Sequence, residues 1–415
     1  MSLVLLVLTP MLDYFREYFD YKILAIALAL AAIGLVSIYS ATYDAGVGMI
    51  FTRQAIWATG AIVALLVATF FPLRTLQRIA FPLYGGTIVL LLIVLIVGRT
   101  ISGSKSWFGV GGMGIQPSEF AKVTTVLALA AFLSRPTTNL AEAKHLFIAI
   151  GIALLPMMMV FLQPDVGTSL VFLTLLIPVL YWSGADNFTL AIILSPMLAA
   201  FGALLGTIPF ILAVLISLAL LYYTKKNLFT AAAVFGLTIA IGLSVQAVFE
   251  RLPAYQQKRI VAFLNPEADP LGSGYNVLQS KVAIGSGGLF GKGFLQGTQT
   301  QLNFIPEQWT DFIFCVPGEE FGFAGASLVL ILFSALLLRG IKIAGLSKNP
   351  FCGIAAIGIV GALTTHVLIN IGMSMGIMPV IGIPLPFLSY GGSALVANMT
   401  MVGLLMNFFS NRKAY

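Results

Sequence analysis

Glu119 and Lys122 stand three residues apart in the segment 107–122, WFGVGGMGIQPSEFAK, where a proline-led polar start runs into an apolar stretch. Three residues is about one helical turn, so the carboxylate and the ammonium can pair on one helix face. An ionisable pair at the mouth of an apolar segment is a functional-site candidate by default. The competing reading is structural: Pro117, Ser118 and Glu119 form a helix start, with Ser118 as cap and Glu119 favoured by the helix dipole. A cap, however, needs no lysine. Asp165, in Gln163-Pro164-Asp165-Val166-Gly167-Thr168-Ser169, reads as the cap of a following helix, with direct chemistry as the alternative. Asp269, in Asp269-Pro270-Leu271-Gly272-Ser273-Gly274-Tyr275, is either a turn residue or a carboxylate projected from rigid backbone. The glycine tract 285–293 offers backbone that can approach a diphosphate closely, with Lys281 and Lys292 as counter-charges.

The elements that must position these groups are set by composition. Of 415 residues, 59% are hydrophobic and 9% charged, with a mean hydropathy of +1.01. A soluble domain carries roughly 25% charged residues, so the solvent for most of this chain is a lipid bilayer. Runs long enough to cross it as helices lie near 22–42, 54–72, 79–98, 119–134, 145–163, 165–183, 188–205, 207–223, 228–248, 312–340, 352–376 and 388–410. They predict an all-α polytopic membrane protein of about twelve helices, a single domain over 1–415. The start, MSLVLLVLTPMLDYF, has no basic leader, so a cleaved signal peptide is not expected. Lysines and arginines gather on the loops that share a side with both termini, which puts the termini in the cytoplasm and the polar interval 249–311 outside. Asp44, Glu119, Asp165, Glu250, Glu267, Asp269, Glu307, Asp311, Glu319 and Glu320 all fall at or near that outer face.

The net charge of +7 reflects basic inner rims suited to anionic lipid head groups and carries no case for nucleic acid. Cys315 and Cys352 read as small core residues, and two cysteines make no disulfide framework or metal site. The glycine tract fails as a nucleotide loop. A Walker motif needs glycine where Ser286 stands and Ser or Thr where Gly293 stands, and the Rossmann pattern breaks at Phe290. His366 and Asn370, one turn apart in an apolar helix, suit interhelical hydrogen bonding.

Four blocks together resemble the SEDS proteins of bacterial cell-wall synthesis: QPSEFAK, QPDVGTSL, the run from DPLGSGYNVLQSK to TDFIF, and GIMPVIGIPLPFLSYGGSALVANM. The forms QSKVAIGSGG and GTQTQ are closer to the elongation branch of that family than to the division branch. The resemblance implies a peptidoglycan glycosyltransferase that polymerises lipid II, the undecaprenyl-linked disaccharide pentapeptide, in the bacterial cytoplasmic membrane. The family's essential aspartate maps to Asp269 and its polar pair to Glu119 and Lys122. In such chemistry a carboxylate takes the proton of an attacking sugar hydroxyl while cations meet the charge on departing undecaprenyl diphosphate. Asp269 is then the general base, and Lys122, Lys281, Lys292 and Arg259 are diphosphate contacts. Gln279, Ser280, Gln299, Ser389, Tyr390 and Ser393 are further substrate contacts, the last three on the acceptor side. A divalent cation, magnesium or manganese, is a candidate cofactor, and a class B penicillin-binding transpeptidase is the implied partner.

Two departures stand out. Trp309 occupies the place of a family histidine, which excludes imidazole chemistry there. The family commonly shows about ten spans, and the excess maps to 186–223 as an inserted helical hairpin, an even insertion that leaves Asp269 outside. The rival functions are a transporter or lipid II flippase, favoured by intramembrane acids and glycine- or proline-broken segments, and a non-catalytic scaffold for a transpeptidase.

Overall fold

The computed structural model describes residues 18–44, 46–101, 103–110, 113–224, 228–251, 257, 273–302, 304–306 and 308–413. Asp269 and Arg259 lie outside the described residues, as do Lys225 and Lys226. The apolar runs become helices because only a helix satisfies every backbone amide within one segment in hydrocarbon. They are α1 (Tyr21–Tyr43), α2 (Met49–Phe70) and α3 (Leu73–Val97), followed by three short antiparallel strands, β1 (Arg99–Ile101), β2 (Ser104–Val110) and β3 (Met113–Ile115). Next come α4 (Pro117–Leu133), α5 (Ala143–Phe161), α6 (Val166–Trp182), α7 (Asn187–Leu205), α8 (Thr207–Tyr223) and α9 (Leu228–Arg251). The polar interval holds α10 (Ser273–Ser286), α11 (Thr298–Gln301) and α12 (Cys315–Glu320), and the chain ends in α13 (Gly322–Leu346), α14 (Pro350–Ser374) and α15 (Gly392–Ser410).

Eight of these helices are long and apolar enough to cross a membrane, and three shorter apolar helices accompany them. With the 17-residue α4, the described residues supply the twelve segments that the apolar runs predict. Two features depart from the expectation. The run expected over 312–340 breaks at Phe321, because Gly322 takes φ +62° and any side chain there would collide with the backbone of Gly291. Residues 273–286, read from sequence as loop, form α10, whose Ala283 packs with Phe312, Cys315 and Met373 in a small core of its own.

The packing is hierarchical. α14 and α15 are buried over 89% of their apolar windows, against 17% for α2 and 22% for α3. A helix apolar on every face belongs in the middle of a bundle, and α14 packs there against α4, α6 and α13 while α15 packs against α2 and α4. Gly358 lets α14 close on α4: a Cβ there would lie 2.7 Å from Val126 Cγ1. Both cysteines are free and buried in these cores, as expected. A separate cluster of Phe188, Ala191, Leu221 and Val234 ties α7, α8 and α9 into a satellite unit.

The bundle has two chemically distinct poles. At one end meet the start of α4, the start of α6, the end of α14 and the loop helices. At the other, Arg339 Nε pairs with Asp20 at 2.6 Å, Gln77 bonds Asn349 at 3.3 Å, and Asn407 Nδ2 donates to the last carbonyls of α2, Thr69 O at 2.9 Å and Phe71 O at 2.6 Å.

Candidate active site

α4 starts at Gln116 with Pro117 at its first position. Proline has no N–H to lose there and a preset φ, so it starts the helix two residues earlier than a Ser118 cap would. The expectation of a Ser118 cap is thereby corrected: Ser118 lies inside the first turn, buried, with its Oγ unpartnered. The first turn points Glu119 inward, and Glu119 Oε2 lies 2.8 Å from Lys122 Nζ, the two side chains 1% and 0% exposed. His366 of α14 supplies the second partner, with Nε2 2.8 Å from Lys122 Nζ and Nδ1 3.1 Å from Pro384 O. A carbonyl only accepts, so Nδ1 carries the ring proton and Nε2 presents its lone pair to the ammonium. The interhelical bond expected of His366 thus joins α14 to the ionisable pair, an assignment the helix period cannot reveal.

Around this pair the polar backbone is tied down. Asp165 caps α6 by accepting from Thr168 N at 3.0 Å, and it also accepts from Gln116 Nε2 at 2.9 Å. Ser393 Oγ accepts from Gln116 N at 3.4 Å. Ser389 Oγ accepts from Leu385 N at 2.8 Å and donates to Thr310 O at 2.6 Å, while Tyr390 N donates to Trp309 O at 2.8 Å. Asn370 Nδ2 donates to Asp311 O at 2.9 Å and Ile383 O at 2.8 Å. The hydroxyls of Ser389 and Ser393, expected to line an acceptor surface, are therefore buried and engaged in bracing 309–311 and the start of α4. Of the three residues assigned to that surface, Tyr390 is the one only half-buried.

The loop layer is organised by Glu319. Its Oε1 pairs with Lys292 Nζ at 2.7 Å and accepts from Gln299 N at 2.9 Å; its Oε2 accepts from Thr300 N at 2.9 Å and Thr300 Oγ1 at 2.7 Å. Burial pushes the Glu319 carboxyl up, but Lys292 and the loop donors outweigh it and hold the group below the usual carboxylate range. Glu320 beside it goes the other way: burial raises it, and the bonds from Ser40 and Gln301 offset only part of that. Nothing in the sequence beyond an acid doublet ahead of an apolar run marks Glu319 for this role.

This arrangement corrects two readings. Lys292 is matched by Glu319 and also donates to Thr298 Oγ1 at 2.7 Å, so its charge is not open to a diphosphate. The glycine tract is likewise closed: Gly291, at φ +81°, sits where a Cβ would lie 2.1 Å from Glu320 O. Lys292 N donates to Glu319 O and Gly293 N to Glu320 O, both at 3.0 Å, and Phe323 N to Gly288 O at 2.8 Å. The glycines let the backbone approach its own chain rather than a ligand.

Ser280 Oγ donates to Ser374 O at 2.8 Å, pinning α10 to the end of α14. Gln279 is half-buried, and Gln299 Oε1 is buried without a partner. Lys281 lays its methylenes against Gly376 and is exposed. Among the described residues no three His, Cys, Asp or Glu side chains converge as an all-protein metal shell requires.

Residues 21–217 and 189–414 match the sequence profile of a family described as "Cell cycle protein", the FtsW, RodA and SpoVE group. The chain is 35% identical to the peptidoglycan glycosyltransferase RodA of Treponema pallidum, with 94% of this chain and 97% of that protein covered. It is 35% identical to the peptidoglycan glycosyltransferase MrdB of Escherichia coli K12 (96% and 95%) and 36% identical to stage V sporulation protein E of Bacillus subtilis (94% and 96%). Among solved structures, a chain from a peptidoglycan synthase complex described as coordinating polymerization and crosslinking superposes with a TM-score of 0.72 at 30% identity, over 96% of this chain and 99% of that one. Thermus thermophilus rod shape determining protein RodA superposes at 0.64 and 26% identity, over 96% and 98%. A polytopic helical membrane fold, a buried Glu119–Lys122–His366 cluster at one pole and end-to-end likeness to these proteins converge: the chain belongs to the SEDS family and is a peptidoglycan glycosyltransferase of the RodA type.

Proposed function

We propose that the protein polymerises lipid II into glycan strands on the outer face of the cytoplasmic membrane during cell elongation and shape maintenance. The 4-hydroxyl of one sugar attacks the anomeric carbon of the other, the new glycosidic bond forms as the bond to undecaprenyl diphosphate breaks, and Asp269 takes the hydroxyl proton. The observation that carries this reading is the charged cluster of Glu119, Lys122 and His366, buried at the pole where the loop helices gather. Asp269 stands four residues before the start of α10, which Ser280 ties to the end of α14, the helix that carries His366. Lys122, fully buried between Glu119 and His366, holds the cluster together, and exposed Lys281 meets the departing diphosphate. Apolar helix faces hold the polyprenyl tail.

The basic opposite pole supports a cytoplasmic location for both termini. Likeness to a chain of a synthase complex supports a class B penicillin-binding transpeptidase as partner. The two profile matches overlap over 189–217, within α7 and α8, which supports the reading of 186–223 as an extra hairpin. The test is polymerisation of lipid II by the purified protein with its transpeptidase. Asp269→Ala abolishes glycan synthesis while leaving the complex intact; undiminished synthesis sinks the assignment of the base. Lipid II crossing vesicle membranes with no polymer formed marks a flippase instead, and neither activity marks a scaffold.

A further inference from the structure

We propose that the cavity between the ends of α3, α4 and α14, at the pole opposite the active site, binds the phosphate of an anionic phospholipid head group. The cavity holds about 450 Å³, within the range of roughly 300–1,000 Å³ typical of small-molecule sites. Arg78 of α3 and Arg135, just past the end of α4, both line it. Neither has a carboxylate partner among the described residues, whereas Arg339 at the same pole is paired with Asp20. Two unpaired guanidinium groups on one cavity favour an anion, and their planar forks match phosphate oxygens bidentately.

The site is built rather than incidental. The Arg135 guanidinium lies 5.0 Å over the Phe81 ring, a cation–π contact that fixes its plane and leaves its N–H edges open. Phe81 is three residues from Arg78 on the same helix, so one face of α3 presents both the cation and the ring that orients the other cation. Gln77 Nε2 donates to Asn349 Oδ1, which also accepts from Phe351 N and so caps α14 beside the cavity. Phe81, Ala131 and Phe351 add apolar wall for the glycerol and first methylenes of a lipid. In a bilayer-spanning protein, a basic pocket between helix ends is a head-group site by its chemistry. A free phosphate shares the charge but has no use for the apolar wall.

The full-length protein, purified in non-ionic detergent, is titrated with phosphatidylglycerol or phosphatidylcholine and bound lipid is counted by native mass spectrometry. The expected preference for phosphatidylglycerol is about thirtyfold, the size implied when two basic residues each meet an anionic head group. Arg78→Gln with Arg135→Gln brings it to within about threefold of parity. Arg74→Gln with Lys144→Gln, exposed basic residues outside the cavity, leaves it in place. Should the paired variant melt early, Arg78→Glu alone, at an exposed position, carries the same expected loss. Equal losses from both pairs, or an unchanged preference without the cavity arginines, overturn the proposal. So does displacement of the lipid by millimolar inorganic phosphate, which would make the site one for free phosphate.

Discussion

Lys122 is among the largest fully buried side chains of the described residues, and its ammonium is compensated by one carboxylate and one imidazole. A charge in that position is tolerated only while its partner stays, and removing one member of a buried pair costs about 3–5 kcal/mol. Glu119→Gln should therefore lower stability by about that amount, and adding Lys122→Met should restore most of it while lipid II polymerisation stays lost. Denaturation and activity of the two variants beside the unaltered protein check this, and a double variant no more stable than Glu119→Gln would remove the pair from the stability argument. At this scale the sequence is unevenly legible. The i,i+3 spacing of Glu119 and Lys122 survives translation into a helix unchanged, so the pair is readable. The partnership with His366 depends on how α14 crosses α4, a long-range fact with no local signature. Ser389, Ser393 and Lys292 mislead for the reverse reason: polar residues in a polar tract look available until the backbone groups they satisfy come into view.

Elements were more legible than sites, because hydrocarbon leaves the backbone few options. Most helix ends fall within a few residues of the apolar runs, and α8 spans the same residues as its run, 207–223. The strands β1 to β3 escape notice because runs of three to seven residues are too short to show a clear alternation. α10 escapes because its apolar face, Val277, Ala283 and Ile284, is narrow and set among glycines. The element that most constrains the site is α14, and its approach to α4 runs through Gly358. Gly358→Leu should cost about 1–3 kcal/mol by overpacking against Val126 and should lower activity by shifting His366 away from Lys122. Gly345→Ala, with nothing within 4 Å of the added Cβ, should leave melting temperature and activity unchanged. A Gly358→Leu protein that melts normally would mean that the two helices separate at little cost.

At the scale of the whole molecule, a central pair of helices is surrounded by lipid-facing ones, with α7 to α9 as a satellite carrying its own small core. Chemistry concentrates at one pole and cation-rich anchoring at the other, a division the charge pattern of the chain already contains. The central pair follows α1 to α13 in sequence, so ribosomes make it after them. α1 to α9 and α13 enter the membrane before the two helices that fill their middle exist, and Lys122 is inserted into lipid long before His366 is translated. A chain stopped after Leu346 should therefore insert yet be degraded quickly in a pulse-chase experiment, and a separately expressed segment from 347 onward should rescue it. A long-lived truncated chain would mean that the outer helices hold together unaided. Until α14 and α15 arrive, this enzyme is a set of nascent segments around an unfilled centre, dependent on whatever in the membrane keeps an unfinished polar pair from harm.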